Sequence, residues 1–295
     1  MYNEKDIKNE IDSLSTLGEV VRVFAEISSI RMKRTRDVVL ASRAFLQSLN
    51  DIFYEVVYYY RKKVLQAIRK KSVSGREMIT FLAHNGKSVA VYLSANTGLY
   101  GDIMQKTFDF FLDNVRKKNY EITIIGKLGL SLFLEEEPGR PYTYFDLPDQ
   151  KMSEAELSAI IGHLVQYEEI CVFYPKFKNI LEQGPAMFNI SANTPIPDIY
   201  GVLKKEAKRM YIFEPSIEKI LVFFETEVFG STFEQSVAES QLAKYASRMM
   251  AMDRASENIK ESLGKLKVTK LRLSHMVANK KQLDSFSTKL AYSES

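Results

Sequence analysis

The stretch that decides the fold is IKNEIDSLSTLGEVVRVFAEIS, residues 7 to 28. Its apolar or small residues return at alternating steps of four and three: Ile7, Ile11, Leu14, Gly18, Val21, Ala25 and Ser28. Two seam positions in every seven residues are the mark of a coiled coil. The seam continues without a break through Met32, Thr35, Val39, Ser42, Leu46, Leu49, Phe53, Val56 and Tyr60. At about 1.5 Å per residue such a helix spans about 80 Å. The seam is small in its middle and bulky at its ends. Small residues let helix axes approach closely, so the middle is predicted to be slender.

The far end of the chain repeats the pattern. Ile217, Leu221, Phe224, Val228, Ser231, Gln235, Ala238, Leu242, Tyr245, Met249, Met252, Ser256, Ile259, Leu263, Leu266, Lys270, Leu273 and Val277 form a second seam. Gln235 and Lys270 are its polar exceptions, and a polar seam residue can set register. Glu214-Pro215-Ser216 opens this helix, with a stop signal followed by a capping serine. All eight prolines lie between Pro138 and Pro215, which leaves both flanks free to be long helices. Either helix alone would leave an apolar stripe in water. An antiparallel two-helix coiled coil buries both seams most simply, with Gly18, Ala25 and Ser28 expected opposite Met249 and Met252.

Between the flanks, roughly residues 78 to 212, strand and helix patterns alternate. Val89 to Leu93, Ile122 to Ile125, Ile170 to Tyr174 and Ala186 to Ser191 read as strands. Asp102 to Lys118 and Ser153 to Tyr167 read as helices, the second opened by a capping box of Ser153 and Glu156. That alternation predicts an α/β layer with a mostly parallel sheet. The expected organisation is an N-terminal coiled-coil helix over residues 1–75, a Rossmann-like α/β domain over 76–212 and a C-terminal coiled-coil helix over 213–295.

Composition narrows the classes. The single cysteine, Cys171, excludes an intrachain disulfide, and within Ile170-Cys171-Val172-Phe173 it reads as a small buried hydrophobe. The chain reads as intracellular. No apolar run approaches the roughly 18 to 20 residues of a membrane span. The longest, Ile52 to Tyr60, contains Glu55, and Met1 to Asp6 has no signal-peptide pattern. Membrane association is therefore expected only through partners. The net charge is +4, but the positives are bunched at Arg31 to Arg36, at Arg61 to Arg76 and at Lys260 to Arg272. Such stripes suit an acidic partner or nucleic acid, or are simply a solvated helix face.

Catalytic chemistry is thin. Ser94-Ala95-Asn96-Thr97-Gly98-Leu99-Tyr100-Gly101-Asp102 joins a strand to a helix, a place that can cradle phosphate. It has neither the GxGxxG nor the GxxxxGK[ST] spacing, so its glycines read as backbone geometry. His84, His163 and His275 sit in different elements, with no paired-cysteine or HExxH spacing, so no metal site is expected. No GxSxG elbow occurs. Glu135-Glu136-Glu137 reads as a solvated acidic run. No cofactor and no small-molecule substrate are expected.

Four segments in order resemble the gamma subunit of F-type rotary ATP synthases. Arg248-Met249-Met250-Ala251-Met252 with Ala255 and Asn258 is similar to the family's A-R-M-x-A-M-x-x-A-x-x-N. Tyr211 to Ser216, containing Glu214 and Pro215, is similar to Y-x-Y-E-P-[SD]. Ser94 to Gly101, with Gly98 and Gly101, resembles S-x-D-R-G-L-C-G. Ile125-Gly126-Lys127-Leu128-Gly129 with Phe133 resembles I-G-x-K-G-x-x-F. Ile11, Ser13, Arg22, Ile27, Arg31, Lys33 and Arg34 fall where the family has I-x-S and its basic N-terminal helix. The chain departs from the pattern at Asn96-Thr97 for Asp-Arg, at Tyr100 for Cys and at Lys244 for Glu. Glu19 and Phe24 replace Lys and Met, and the family's ending is barely visible in Lys270 to Leu283. The resemblance implies that the diverged parts touch the stator ring.

The resemblance also implies a non-catalytic central shaft. Three α and three β subunits would surround the coiled coil, with ATP chemistry on β. The α/β domain would dock on epsilon and the membrane c-ring, on the cytoplasmic side of the energy-coupling membrane. Residues implied at the ring are Arg31, Lys33, Arg34, Arg36, Arg248, Met250, Arg254, Lys267, Lys270 and Arg272. Two other readings stay open: the shaft of a specialised rotary ATPase for motility or ion pumping, and a coiled-coil arm on a nucleic-acid-binding α/β module. The gamma reading carries no nucleic-acid partner.

Overall fold

A computed structural model describes residues 4–59, 85–149, 153–191, 214 and 216–293. Tyr60 of the first seam, the basic cluster from Arg61 to Arg76, His84, Tyr211 to Phe213 and Pro215 lie outside the described residues.

Helix α1 spans Glu4–Tyr59 and is uninterrupted by proline. Its burial retraces the heptad seam. Ile7, Val21, Ser28, Val39, Leu46, Leu49, Phe53 and Val56 are buried, and the seam positions between them are half-buried. The C-terminal helix, Ile217–Ser293, does the same from Phe224 to Leu273. Ser216 opens it as expected, its hydroxyl accepting from the Lys219 N–H at 3.4 Å. Val277, expected on the seam, is exposed.

The chain forms two compact units, Met1–Ser29 with Arg248–Ser295, and Ile30–Ser247. In the first, Val21, Met252 and Ile259 form a buried cluster against which Leu14, Phe24, Ala25, Ala251, Ala255 and Leu263 pack. A Cβ on Gly18 would lie 3.5 Å from Ile259 Cγ2. Early residues of one helix thus meet late residues of the other, which is antiparallel pairing. Gly18 faces Ile259 rather than the expected Met249 or Met252. In the second unit the same sense holds. Phe53 meets Phe224 with ring centroids 5.3 Å apart, and Val39 clusters with Ala238 and Leu242. Arg43 donates to the buried carboxylate of Glu239 at 2.6 and 3.2 Å.

The second unit also holds a five-stranded sheet in the order β3-β2-β1-β4-β5. Its strands are β1 Ser88–Leu93, β2 Glu121–Ile125, β3 Tyr142–Phe145, β4 Glu169–Phe177 and β5 Gln183–Ser191. All pair in parallel except β4 with β5, which is an antiparallel hairpin. Helices α2 Ile103–Val115, α3 Lys127–Glu136 and α4 Glu154–Leu164 connect them; the C-terminal helix is therefore α5. The capping box at Ser153 is present, with both bonds at 3.0 to 3.2 Å. Helix α3 and strand β3 are absent from the sequence-based expectation. Pro141 and the four-residue length mask β3, and Gly129 interrupts α3.

Every residue of β1 from Val89 to Leu93 is buried, as a central parallel strand requires. Alternate residues feed two cores. Ala90 and Tyr92 pack with Phe108, Phe111 and Phe133. Val89, Val91 and Leu93 pack with Ile160 and Leu164 of α4 and with Phe229, Phe233 and Val237 of α5. Helix α5 is therefore a core element of the α/β unit over this stretch as well as one strand of a coiled coil.

Candidate functional site

In parallel α/β sheets ligands bind beyond the C-terminal ends of the strands. Here that edge is built from the turn after β1, the start of α3 and the segment after β3. The backbone reverses with Leu99 at φ 66° and Gly101 at φ 63°. Asn96 Oδ1 accepts from the Lys127 N–H at 2.9 Å and so caps α3. The carboxylate of Asp149 accepts the N–H groups of Asn96 and Thr97 at 3.1 and 3.0 Å and the Thr97 hydroxyl at 2.9 Å.

Two glycines allow this closeness. Gly126 has φ 101°, and a Cβ there would meet the Ala95 backbone at 2.9 Å. A Cβ on Gly129 would lie 2.6 Å from Ser94 Cβ and 2.8 Å from Tyr92 Cε1. Both positions therefore hold the N-terminus of α3 against β1 and the turn. Gly98 has open space around it.

Helix α5 closes the crevice. Lys244 Nζ donates to the Ser94 carbonyl at 3.0 Å and to Asp149 Oδ1 at 3.3 Å. The Tyr245 hydroxyl donates to the Asp149 carbonyl at 3.0 Å, and the Ser247 hydroxyl to the Tyr100 carbonyl at 2.7 Å. The side chains of Lys244 and Asp149 are only 6% and 8% exposed. Burial alone would raise the Asp149 pKa. The Lys244 charge and the bonds from Thr97 and Lys244 outweigh it and hold the carboxyl below its ordinary value. The N–H groups of Asn96 and Thr97 already serve Asp149, and Lys244, Tyr245 and Ser247 of α5 occupy the Ser94, Asp149 and Tyr100 acceptors beside them. Of the departures from the family pattern at this edge, Lys244 is buried, Asn96 is half-buried and Thr97 is exposed. Asp149 carried no signal in the sequence. Lys244 stood out only as a departure from the family pattern.

At the opposite edge of the sheet, a groove of about 880 Å³ is lined by Lys87, Tyr120, Glu121, Arg140 and Tyr142. Its polar groups bond among themselves: Lys87 pairs with Glu121 at 2.6 Å, and Arg140 donates to the Tyr120 carbonyl at 3.3 Å.

The residues implied at the ring are spread along α1 and α5. Lys33, Arg34 and Arg36 are exposed on the unit Ile30–Ser247. Arg31 is half-buried, its guanidinium 6.0 Å from the centroid of the Tyr245 ring. On the other unit Arg254, Lys267 and Arg272 are exposed, and Met250 and Lys270 are half-buried. Arg248 is 5% exposed and offers little surface to any partner. Met249 is half-buried and Met252 fills the seam core. Glu214 is exposed. Glu136 and Glu137 of the acidic run are bonded by Arg116 at 3.3 and 2.8 Å.

A sequence profile of the family described as ATP synthase matches residues 3–273. The chain belongs to the ATP synthase gamma-chain family. It is 24% identical to the ATP synthase gamma chain of Sinorhizobium fredii, over 90% of this chain and 91% of that one. It is 26% identical to the gamma chain of a Roseiflexus species over 88% of each, and 24% identical to that of Campylobacter curvus over 98% and 96%. The fold is similar to chains in two solved mitochondrial assemblies. One is from the Euglena gracilis ATP synthase, with TM-score 0.55, 17% identity, and 89% and 95% of the two chains covered. The other is from the Tetrahymena thermophila ATP synthase central stalk and c-ring, with TM-score 0.54, 16% identity, and 80% and 99% covered. The α/β-plus-coiled-coil fold is therefore shared with those two chains at low sequence identity. No helix among the described residues is long and apolar enough to cross a membrane.

Proposed function

We propose that this gamma-family chain is the central rotor shaft of an ATP synthase, turning within a ring of three α and three β subunits. Its α/β domain docks on an epsilon subunit and the membrane c-ring, which hold it at the cytoplasmic side of the energy-coupling membrane. The chain itself transmits torque, and ATP is bound and hydrolysed on β. The observation that carries this reading is how α1 and α5 use their seams. Each is spent on pairing with the other, while Lys33, Arg34, Arg36, Arg254, Lys267 and Arg272 stay at the surface. Those six, with Arg31, Met250 and Lys270 beside them, are the proposed ring-facing residues. The filled crevice at the C-terminal edge of the sheet supports a non-catalytic role, because the site where a Rossmann-like domain would take a nucleotide is taken by α5.

The test is reconstitution with α and β subunits. The complex is expected to form and to hydrolyse ATP, while the isolated chain hydrolyses none and binds ATP no tighter than about millimolar. Micromolar ATP binding by the isolated chain in calorimetry, or failure to co-purify with α and β, overturns the proposal.

A further inference from the structure

Three departures from the family pattern, the adjacent Asn96 and Thr97 and the distant Lys244, meet at one carboxylate. Thr97 Oγ1 lies 2.9 Å from Asp149 Oδ2, and Lys244 Nζ lies 3.3 Å from Asp149 Oδ1. Asn96 joins through its N–H at 3.1 Å. Positions 97 and 244 therefore flank the same acid from opposite sides, the first exposed and the second buried. A buried carboxylate needs a compensating positive charge, and removing that charge leaves it stranded. In this chain Lys244 supplies the charge, and an arginine at position 97 would reach the same carboxylate from outside. The family pattern instead places Asp-Arg in the turn and a glutamate on the helix.

We infer that Lys244 is a positioning residue, one half of a buried ion lock with Asp149 that fixes α5 against the edge of the sheet and holds the Ser94–Gly101 turn in place. The lock acts through two independent links. One runs from Lys244 to the Ser94 carbonyl at the end of β1. The other runs through Asp149 to the N–H groups of the turn. Neighbouring bonds from Tyr245 and Ser247 lie on the same stretch of α5 and set its axial position. Hydrophobic contacts from Phe229, Phe233 and Val237 tolerate sliding better than a directional ion pair does, so register is assigned to the lock. On the shaft reading proposed above, this is where sheet and helix are made to turn as one body.

The experiment uses the full chain with K244R, K244M and the double variant T97R/K244M. Amide exchange at residues 96 to 102 is followed by mass spectrometry. Losing a buried charged hydrogen bond speeds exchange there by about tenfold or more in K244M. K244R stays within about twofold of the parent, and T97R/K244M recovers most of the protection, because one positive charge again faces Asp149, now from the exposed side. A role limited to filling space does not produce that rescue. If K244M yields no folded chain, the double variant must restore folding. Unchanged exchange in K244M, or a double variant no better than K244M, overturns the lock. In the assembled membrane complex the lock further requires that K244M lower ion pumping per ATP hydrolysed, with T97R/K244M recovering it. Normal pumping per ATP by K244M overturns its role in torque, whereas a parent complex that does not couple at all overturns the shaft reading instead.

Discussion

Two stretches of one helix, α5, are built to different rules. From Phe229 to Ser247 almost every residue is buried or half-buried, including Glu239 and Lys244. From Asp253 to Leu273 only the seam and the adjoining Ala255 are protected, and the remaining positions are exposed. The first stretch obeys packing on all sides, the second a single stripe. The same period of seven runs through both, so periodicity alone does not separate a core helix from a coiled-coil strand. What separates them is residue type away from the seam. Phe229, Phe233, Val237 and Ala243 are off-seam residues of the first stretch and are apolar, whereas Asp253, Arg254, Glu257, Lys260 and Glu261 are off-seam in the second and are charged.

The contrast breaks most readily at Phe233, which is fully buried. Phe233→Ala is expected to destabilise the chain by about 3–5 kcal/mol, the cost of a large core deletion. Leu271→Gln, at a residue 62% exposed, is expected to change stability by less than about 0.5 kcal/mol. Thermal or urea unfolding of both variants decides it, and comparable losses would mean that the two stretches do not differ as described. Glycine 129 sharpens the same contrast at a smaller scale. Gly129→Ala forces a methyl into Ser94 and Tyr92 and is expected to cost about 1–3 kcal/mol, against less than about 0.5 kcal/mol for Gly98→Ala in open space.

The ion pair within the first stretch gives a pH signature. The folded pKa of Asp149 is lowered from 3.8, so its contribution is fully present above that value and is lost as the pH falls through the depressed folded one. Stability attributable to the pair is therefore flat through neutral pH and declines only below about pH 4. Melting curves of the parent and Asp149→Asn should differ near neutrality and converge in acid. A difference that grows on acidification would contradict the assignment. The smallest effect is expected on exposed basic faces. Arg34→Glu with Arg36→Glu should leave the folded chain within about 0.5 kcal/mol of the parent. It should weaken assembly with α and β, more at low salt than at physiological salt, where charges separated by more than about 8 Å are screened. Equal binding at both ionic strengths would remove those arginines from the interface.

The seams were legible because a repeat of seven is a local signal sustained over many turns, and the burial of Ile7 through Val56 follows it residue by residue. The parallel strands were legible because β1, β2 and β4 are apolar on both faces. Strand β3 was not, since Tyr142–Phe145 is short and derives its identity from pairing with β2. The site was legible only in part. The glycines of Ile125 to Gly129 stood out, and their reason, contact of α3 with Ser94 and Ala95, is tertiary. Asp149 was invisible because Asp146-Leu147-Pro148-Asp149 resembles any polar loop. Its role depends on Lys244, 95 residues away along the chain.

The central claim is that this chain is a turning shaft, and rotation tests it most directly. The ring of α and β subunits is fixed to a surface, and a visible probe is attached at Lys117, an exposed residue just beyond α2. On addition of ATP the account predicts that the probe turns in one sense, in steps, at a rate set by hydrolysis. A probe that keeps its mean orientation while the assembled complex hydrolyses ATP would contradict it.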